Sequence, residues 1–267
     1  MRYKRYCPIT PFHSLSLLFT PLLLLLFFNS LHAQTALSAA QQGDLAYSQK
    51  DYKAAISHYK DALASGQCSP ELLYNMGGAY YRLDSLSQAI LCYERVLRLD
   101  PSFDDARDNL ELANSHTVDR ITPLPAFFLA DWIHSLSTNI SVGAWRMITL
   151  LFLLLLCAAV AVFLLFHDPL RRKLSFTAII LFGILTTLSF LLLLSAVSHF
   201  NDDSQAIVTQ ESVTVKNEPG EHSTDKLILH EGTKVTVTLS QAGHHKITLP
   251  DGTTGWVDTN AVERIKN

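Results

Sequence analysis

The sequence predicts a multidomain chain: α-helical repeats, two transmembrane helices and a small all-β barrel. Three observations predict it. Residues 36–115 repeat themselves at one fixed interval, residues 147–166 and 174–197 are apolar runs without a charge, and residues 205–265 hold short β-rich runs broken by Gly and Pro turns. The 267 residues are only 17% charged, with a mean hydropathy of +0.18, against roughly 25% charged for soluble domains. Such a chain is too apolar for disorder. Lys+Arg number 21 and Asp+Glu 24, a net charge of -3, which argues against a nucleic-acid partner.

At the amino terminus, Arg2, Lys4 and Arg5 precede the apolar run from Leu15 to Phe28, and Ala33 stands before Gln34. A basic start, an apolar centre and a small residue at the end make a secretory signal over 1–33, with cleavage expected after Ala33. Leu31 is larger than the small residue favoured there, so an uncleaved anchor is the alternative.

The repeat segment spans 34–118. Gly43 recurs as Gly77, Tyr47 as Tyr81, Ala55 as Ala89, Ile56 as Ile90, Tyr59 as Tyr93 and Leu63 as Leu97, each 34 residues on. Small residues at Gly43/Gly77 and Ala55/Ala89 let two antiparallel helices approach closely, and Tyr59/Tyr93 fill the gap between them. Pro101 ends the second unit, because proline cannot continue a helix. The units are 36–69 and 70–103, and 104–115 is expected to be a capping helix covering the last apolar face. This period resembles that of tetratricopeptide repeats. The resemblance implies protein partners held on a concave face of first-helix residues, here Asp44, Tyr47, Tyr74, Tyr81, Arg82, Asp105 and Asp108. Tyr47 and Tyr81 have a second reading, as partly buried packing residues. The positions where such repeats grip a carboxylate hold Ala40, Asp44, Asn75, Asp105 and Asn109; only the asparagines suit one, and repulsion from three nearby acids opposes an anionic peptide end.

Residues 119–146 form a juxtamembrane stretch with Phe127, Phe128, Trp132 and Trp145, which suits an interfacial helix at headgroup depth or a patch for another membrane protein. The runs 147–166 and 174–197, 20 and 24 residues long, can each cross about 30 Å of hydrocarbon. The loop 167–173 between them carries Arg171, Arg172 and Lys173, and short basic loops stay cytoplasmic. Both flanking segments then face the opposite, exported side. They hold twelve acids against eight cations (34–120) and ten against six (198–267).

In 205–265 the β-rich runs are Ala206-Ile207-Val208-Thr209, Val213-Thr214-Val215, Leu227-Ile228-Leu229, residues 234–239, residues 246–249 and Gly255-Trp256-Val257. Short strands spaced by such turns indicate a small barrel or sandwich. The runs with Gly232 in His230-Glu231-Gly232-Thr233 and Gly252, Gly255 and Trp256 in residues 251–257 resemble a bacterial SH3-type domain. Polyproline recognition is disfavoured, because Trp256 lacks the aromatic companions that a polyproline groove needs. Trp256 is read as core or rim packing, with a ligand platform as the alternative.

No catalytic or metal motif is found: there is no CxxC, GxSxG or HExxH, and His244-His245 on a strand would point to opposite faces. No cofactor is expected. Cys68 and Cys92 alone could pair in an oxidising compartment, but a loop cysteine and a helix cysteine make that an unfavoured pair. The order of parts resembles the E-type members of the aerotolerance-operon (Bat) family. That likeness implies a non-catalytic inner-membrane scaffold with both large domains periplasmic, in a stress-related envelope complex. Its implied partners are von Willebrand-A-type membrane proteins, other repeat proteins and a MoxR-type ATPase, beside the lipid bilayer. The alternative is a sensor that binds peptidoglycan through the SH3-type domain.

Overall fold

The computed structural model describes residues 39–124, 128–166, 168–220 and 223–266. The expected signal peptide, 1–33, lies outside the described residues. The chain divides into two compact units, one ending at Cys68 and one running from Ser69 to Asn267.

In the first unit, helix α1 is described over residues 39–48 and α2 is Tyr52–Ala64. Asp51 caps α2 by accepting the Ala54 N–H at 3.0 Å. Gly43 fixes the approach of the pair, because a Cβ there would meet Tyr59 Cε1 at 2.5 Å. Any larger residue would have to displace a ring that is 1% exposed.

The second unit opens with the same device. Helix α3 (Pro70–Arg82) is capped by Ser69 and carries proline in its first turn, where the missing N–H costs nothing. Helix α4 (Leu86–Leu99) lies antiparallel to it, and a Cβ on Gly77 would stand 2.8 Å from Tyr93 Cε1. Helix α5 (Asp104–Ser115) follows the Pro101 turn and packs on α4.

Two long helices come next. Helix α6 (Phe128–Thr138) leads into α7 (Val142–Leu165), which pairs with α8 (Pro169–Asn201). Helices α7 and α8 are long and apolar enough to cross a membrane. Leu151, Leu164, Leu181 and Leu191 all stay more than half exposed, an apolar surface of the kind that marks a membrane or protein interaction site. Most residues buried along the pair are small: Ala159, Ser175, Ser189 and Ala196, which permits close helix contact. Arg171, Arg172 and Lys173, expected in a loop, lie instead on the first turns of α8. Asp168 caps that helix and Pro169 starts it, so apolar-run counting finds only its hydrophobic middle. Arg171 and Arg172 sit over the Phe166 and Phe163 rings, at 5.2 and 4.9 Å. Trp145 is buried against Leu192 and Ala196.

Seven strands make one antiparallel sheet: β1 (Gln205–Val208), β2 (Ser212–Lys216), β3 (Asp225–His230), β4 (Lys234–Gln241), β5 (His244–Thr248), β6 (Thr254–Asp258) and β7 (Val262–Arg264), in the order β3-β2-β6-β5-β4-β1-β7. One buried cluster draws on every strand, including Val208, Val215, Leu229, Val237, Ile247, Val257 and Val262. Few outside residues cover it, Ile121 among them, so the sheet curls over its own apolar face. Trp256 is not in that cluster. It alternates with Gly255 and Val257, and its backbone is in register with Lys216 on one side and Lys246 on the other. Strand alternation therefore puts it on the outer face, half-buried.

The sheet and the repeats of this unit dock directly. Ile90 and Leu91 of α4 and Ala113 of α5 form one buried cluster with Ile207 of β1 and with Ile265. Gly232 comes so close that a Cβ would meet Ile90 and Thr117, each at 2.9 Å. The expected capping helix α5 is thus only half of the cap, and the sheet edge supplies the rest. Residues 119–124, at the start of the juxtamembrane stretch, run along the sheet: Ile121 packs on its core and the Leu124 N–H donates to Pro250 O at 3.1 Å.

Candidate functional site

The first-helix faces of the repeats hold the residues expected to meet a partner. In the first unit, Asp44 is exposed and accepts the Tyr59 hydroxyl at 2.7 Å. Tyr47 is half-buried, its ring edge-on to Tyr52 at 5.3 Å. In the second unit, Tyr74 lies between Phe103 and Tyr93, ring centres 5.1 and 6.0 Å away, and its hydroxyl accepts the Asn109 amide at 3.0 Å. Tyr81 packs on the Ile90 cluster. Both tyrosines, half-buried, thus also brace the helices of their own fold. Arg82, Asp105 and Asp108 remain exposed. They give this face of α3 and α5 a mixed charge that suits a polar protein surface.

The second-helix face of α4 is occupied. Arg95, whose side chain is 11% exposed, donates to Glu263 at 2.9 Å and to the carbonyls of Ile265 and Arg264 at 3.0 Å each. Lys234 meets both Glu94 oxygens at 2.9 Å, and the Ser87 hydroxyl donates to Glu231 at 2.9 Å. Below α5, Asp119 accepts the His230 N–H at 2.6 Å and the Thr233 hydroxyl at 2.8 Å, and its other oxygen is 2.9 Å from His230 Nδ1. Burial alone would raise the Asp119 carboxyl. The His230 N–H, its imidazole and the Thr233 hydroxyl outweigh that and hold it below the usual carboxylate range. None of these residues was expected from the sequence, because their partners lie more than a hundred residues away along the chain.

Among the described residues no group of three His, Cys, Asp and Glu side chains could hold a metal ion. Cys68 is exposed, Cys92 is buried, and neither forms a disulfide. His244 faces Asp258 at 3.2 Å. His245 turns the other way and is buried, and that burial, followed by nearby Arg264, lowers its proton affinity.

Residues 70–103 match the tetratricopeptide repeat family. Such repeats are protein-interaction units and are typically non-catalytic. No curated protein matches the chain. The matched segment is α3, α4 and the Pro101 turn, the same stretch whose Gly77–Tyr93 contact and exposed Arg82 are described above.

Proposed function

We propose that this protein is a non-catalytic adaptor of the inner membrane. It binds protein partners on the first-helix face of its repeats and is held at the bilayer by α7 and α8. The observation that carries this reading is the unequal use of the two repeat faces. The α4 side is filled by the chain's own sheet, while Arg82, Asp105 and Asp108 stand exposed on α3 and α5. The partners are other membrane and periplasmic proteins, in an envelope assembly of the aerotolerance kind. Repeats and sheet face the periplasm, and Arg171, Arg172 and Lys173 the cytoplasm, in keeping with the positive-inside bias.

Crosslinking in intact membranes, followed by mass spectrometry of what the full chain retains, tests the surface. Arg82→Glu combined with Asp108→Lys is expected to lose the partners. If every partner stays bound while circular dichroism is unchanged, the face is wrongly assigned. The topology has its own reporter, since Cys68 is exposed and free: a membrane-impermeant maleimide should label it without cell lysis once the outer barrier is opened.

A second reading, cell-wall peptide bound by the SH3-type domain, is favoured by one observation. Trp256 lies half-buried on the outer face of the sheet between the strand positions of Lys216 and Lys246, and an outward-facing indole beside cations suits an acidic, apolar-sided peptide. Solubilised full chain should then pellet with purified cell wall and Trp256→Ala should not. No pelleting of the unmodified chain removes this reading.

A further inference from the structure

The first turn of α7, the last turn of α8, the end of α4 and the edge of the sheet surround a cavity of about 730 Å³. Five basic side chains line it, Arg98, Arg107, Arg146, His199 and Lys234, against one acid, Glu94. Glu94 is neutralised by Lys234 at 2.9 Å, and Arg107 pairs with Asp104. Arg98 donates to the backbone carbonyls of Phe200 and Asp202, with Asp202 and Asp203 as its nearest acids. Arg146 is exposed, and among the described residues no acid stands within ion-pair distance of it. Each of the other Arg and Lys side chains of the cavity thus has an acid beside it, and Arg146 is the cation left for a ligand.

Its other walls suit an amphiphile. Ser141, Thr138 and Asn139 supply polar atoms, and Ala196, Val197 and Leu99 supply apolar ones. The location narrows the ligand. Both long apolar helices have their ends here, α7 beginning at Val142 and α8 ending at Asn201, so the cavity opens where hydrocarbon gives way to headgroups.

We propose that this cavity binds a phosphate group, that of an anionic phospholipid in the leaflet facing the repeats. The inference rests on α7 and α8 lying in a bilayer. Arg146 approaches the phosphate, Arg98 ties the site to the end of α8, and the apolar wall takes the glycerol end of the acyl chains. The lipid then becomes part of the joint between the repeats and the membrane.

Native mass spectrometry of the full chain in detergent tests it, with phosphatidylglycerol and phosphatidylcholine of identical chains as probes. Phosphatidylglycerol should be retained about fivefold over phosphatidylcholine, the scale of one surface cation. Arg146→Glu should abolish that preference, while Arg172→Glu, at the opposite end of the helices, should leave it. Equal retention of the two lipids, or an unchanged preference in Arg146→Glu, overturns the site. Excess inorganic phosphate should not displace the lipid; if it does, the ligand is a soluble phosphate and the lipid assignment fails. Carbonate washing of membranes separates the premise from the site: release of the chain removes the bilayer reading, and retention leaves the lipid result to decide the cavity.

Discussion

The two repeats share an inner face and differ on the outer one. Inside, Gly43 meets Tyr59 as Gly77 meets Tyr93, and both first helices end in a left-handed residue, Lys50 at φ 64° and Asp84 at φ 59°. Outside, the second helices diverge. Ser57, Lys60 and Asp61 of α2 are exposed, whereas their 34-residue counterparts Leu91, Glu94 and Arg95 of α4 are buried or half-buried against the sheet. The period preserves what holds a helix pair together, and its lapses mark where another part of the chain docks.

The comparison breaks most visibly at Leu91. Leu91→Ala should cost about 2–4 kcal/mol, as for a fully buried leucine, and Ser57→Ala at the matched position should fall within about 0.5 kcal/mol; urea denaturation of the solubilised chain measures both. Equal losses would mean that the sheet does not dock on α4. Next come the glycines. Gly77→Ala and Gly43→Ala should each cost about 1–3 kcal/mol through ring displacement, so that thermal midpoints fall alike in the two units. Arg95→Ala should cost roughly 1–3 kcal/mol, since it strands a part-buried carboxylate and two carbonyls, while Asp61→Ala should be near neutral.

Acid sharpens the picture further. Because the Asp119 carboxyl is held low in the folded chain, its contribution is present above the ordinary carboxylate range and is lost as pH falls through the depressed folded value. Asp119→Asn should therefore flatten the acid limb of a stability profile and leave its alkaline side in place. The smallest effect belongs to the turns: Lys50→Gly and Asp84→Gly should each stabilise by about 0.5–1 kcal/mol, since glycine adopts a positive φ without strain.

Local pattern made much of this architecture legible. The 34-residue pairs located the helix pairs, charge-free runs located α7 and α8, and alternation with Gly turns located six of seven strands. The seventh, Val262–Arg264, is three residues long, too short to carry a period. The docking of sheet on repeat was not legible, because Ile207 and Ile265 read as ordinary strand and terminal residues until Ile90 is placed beside them. The same limit applied to Trp256: composition offered a bulky filler, but only its pairing with Lys216 and Lys246 fixed which face it occupies. At the candidate surface, Arg82, Asp105 and Asp108 were readable as exposed polar positions, whereas the bracing role of Tyr74 depends on Phe103 and Asn109, from the next turn and helix.

Only three residues separate the end of α8 at Asn201 from the start of β1 at Gln205, and Arg98 grips the carbonyls of Phe200 and Asp202 at the end of the helix. A pull on the repeats is therefore transmitted to α8 without slack. The joint behaves as a bracket and not as a tether. The helix it holds is 33 residues, about 50 Å long at 1.5 Å per residue, so a small change of angle at the joint is a large displacement at the helix's far end.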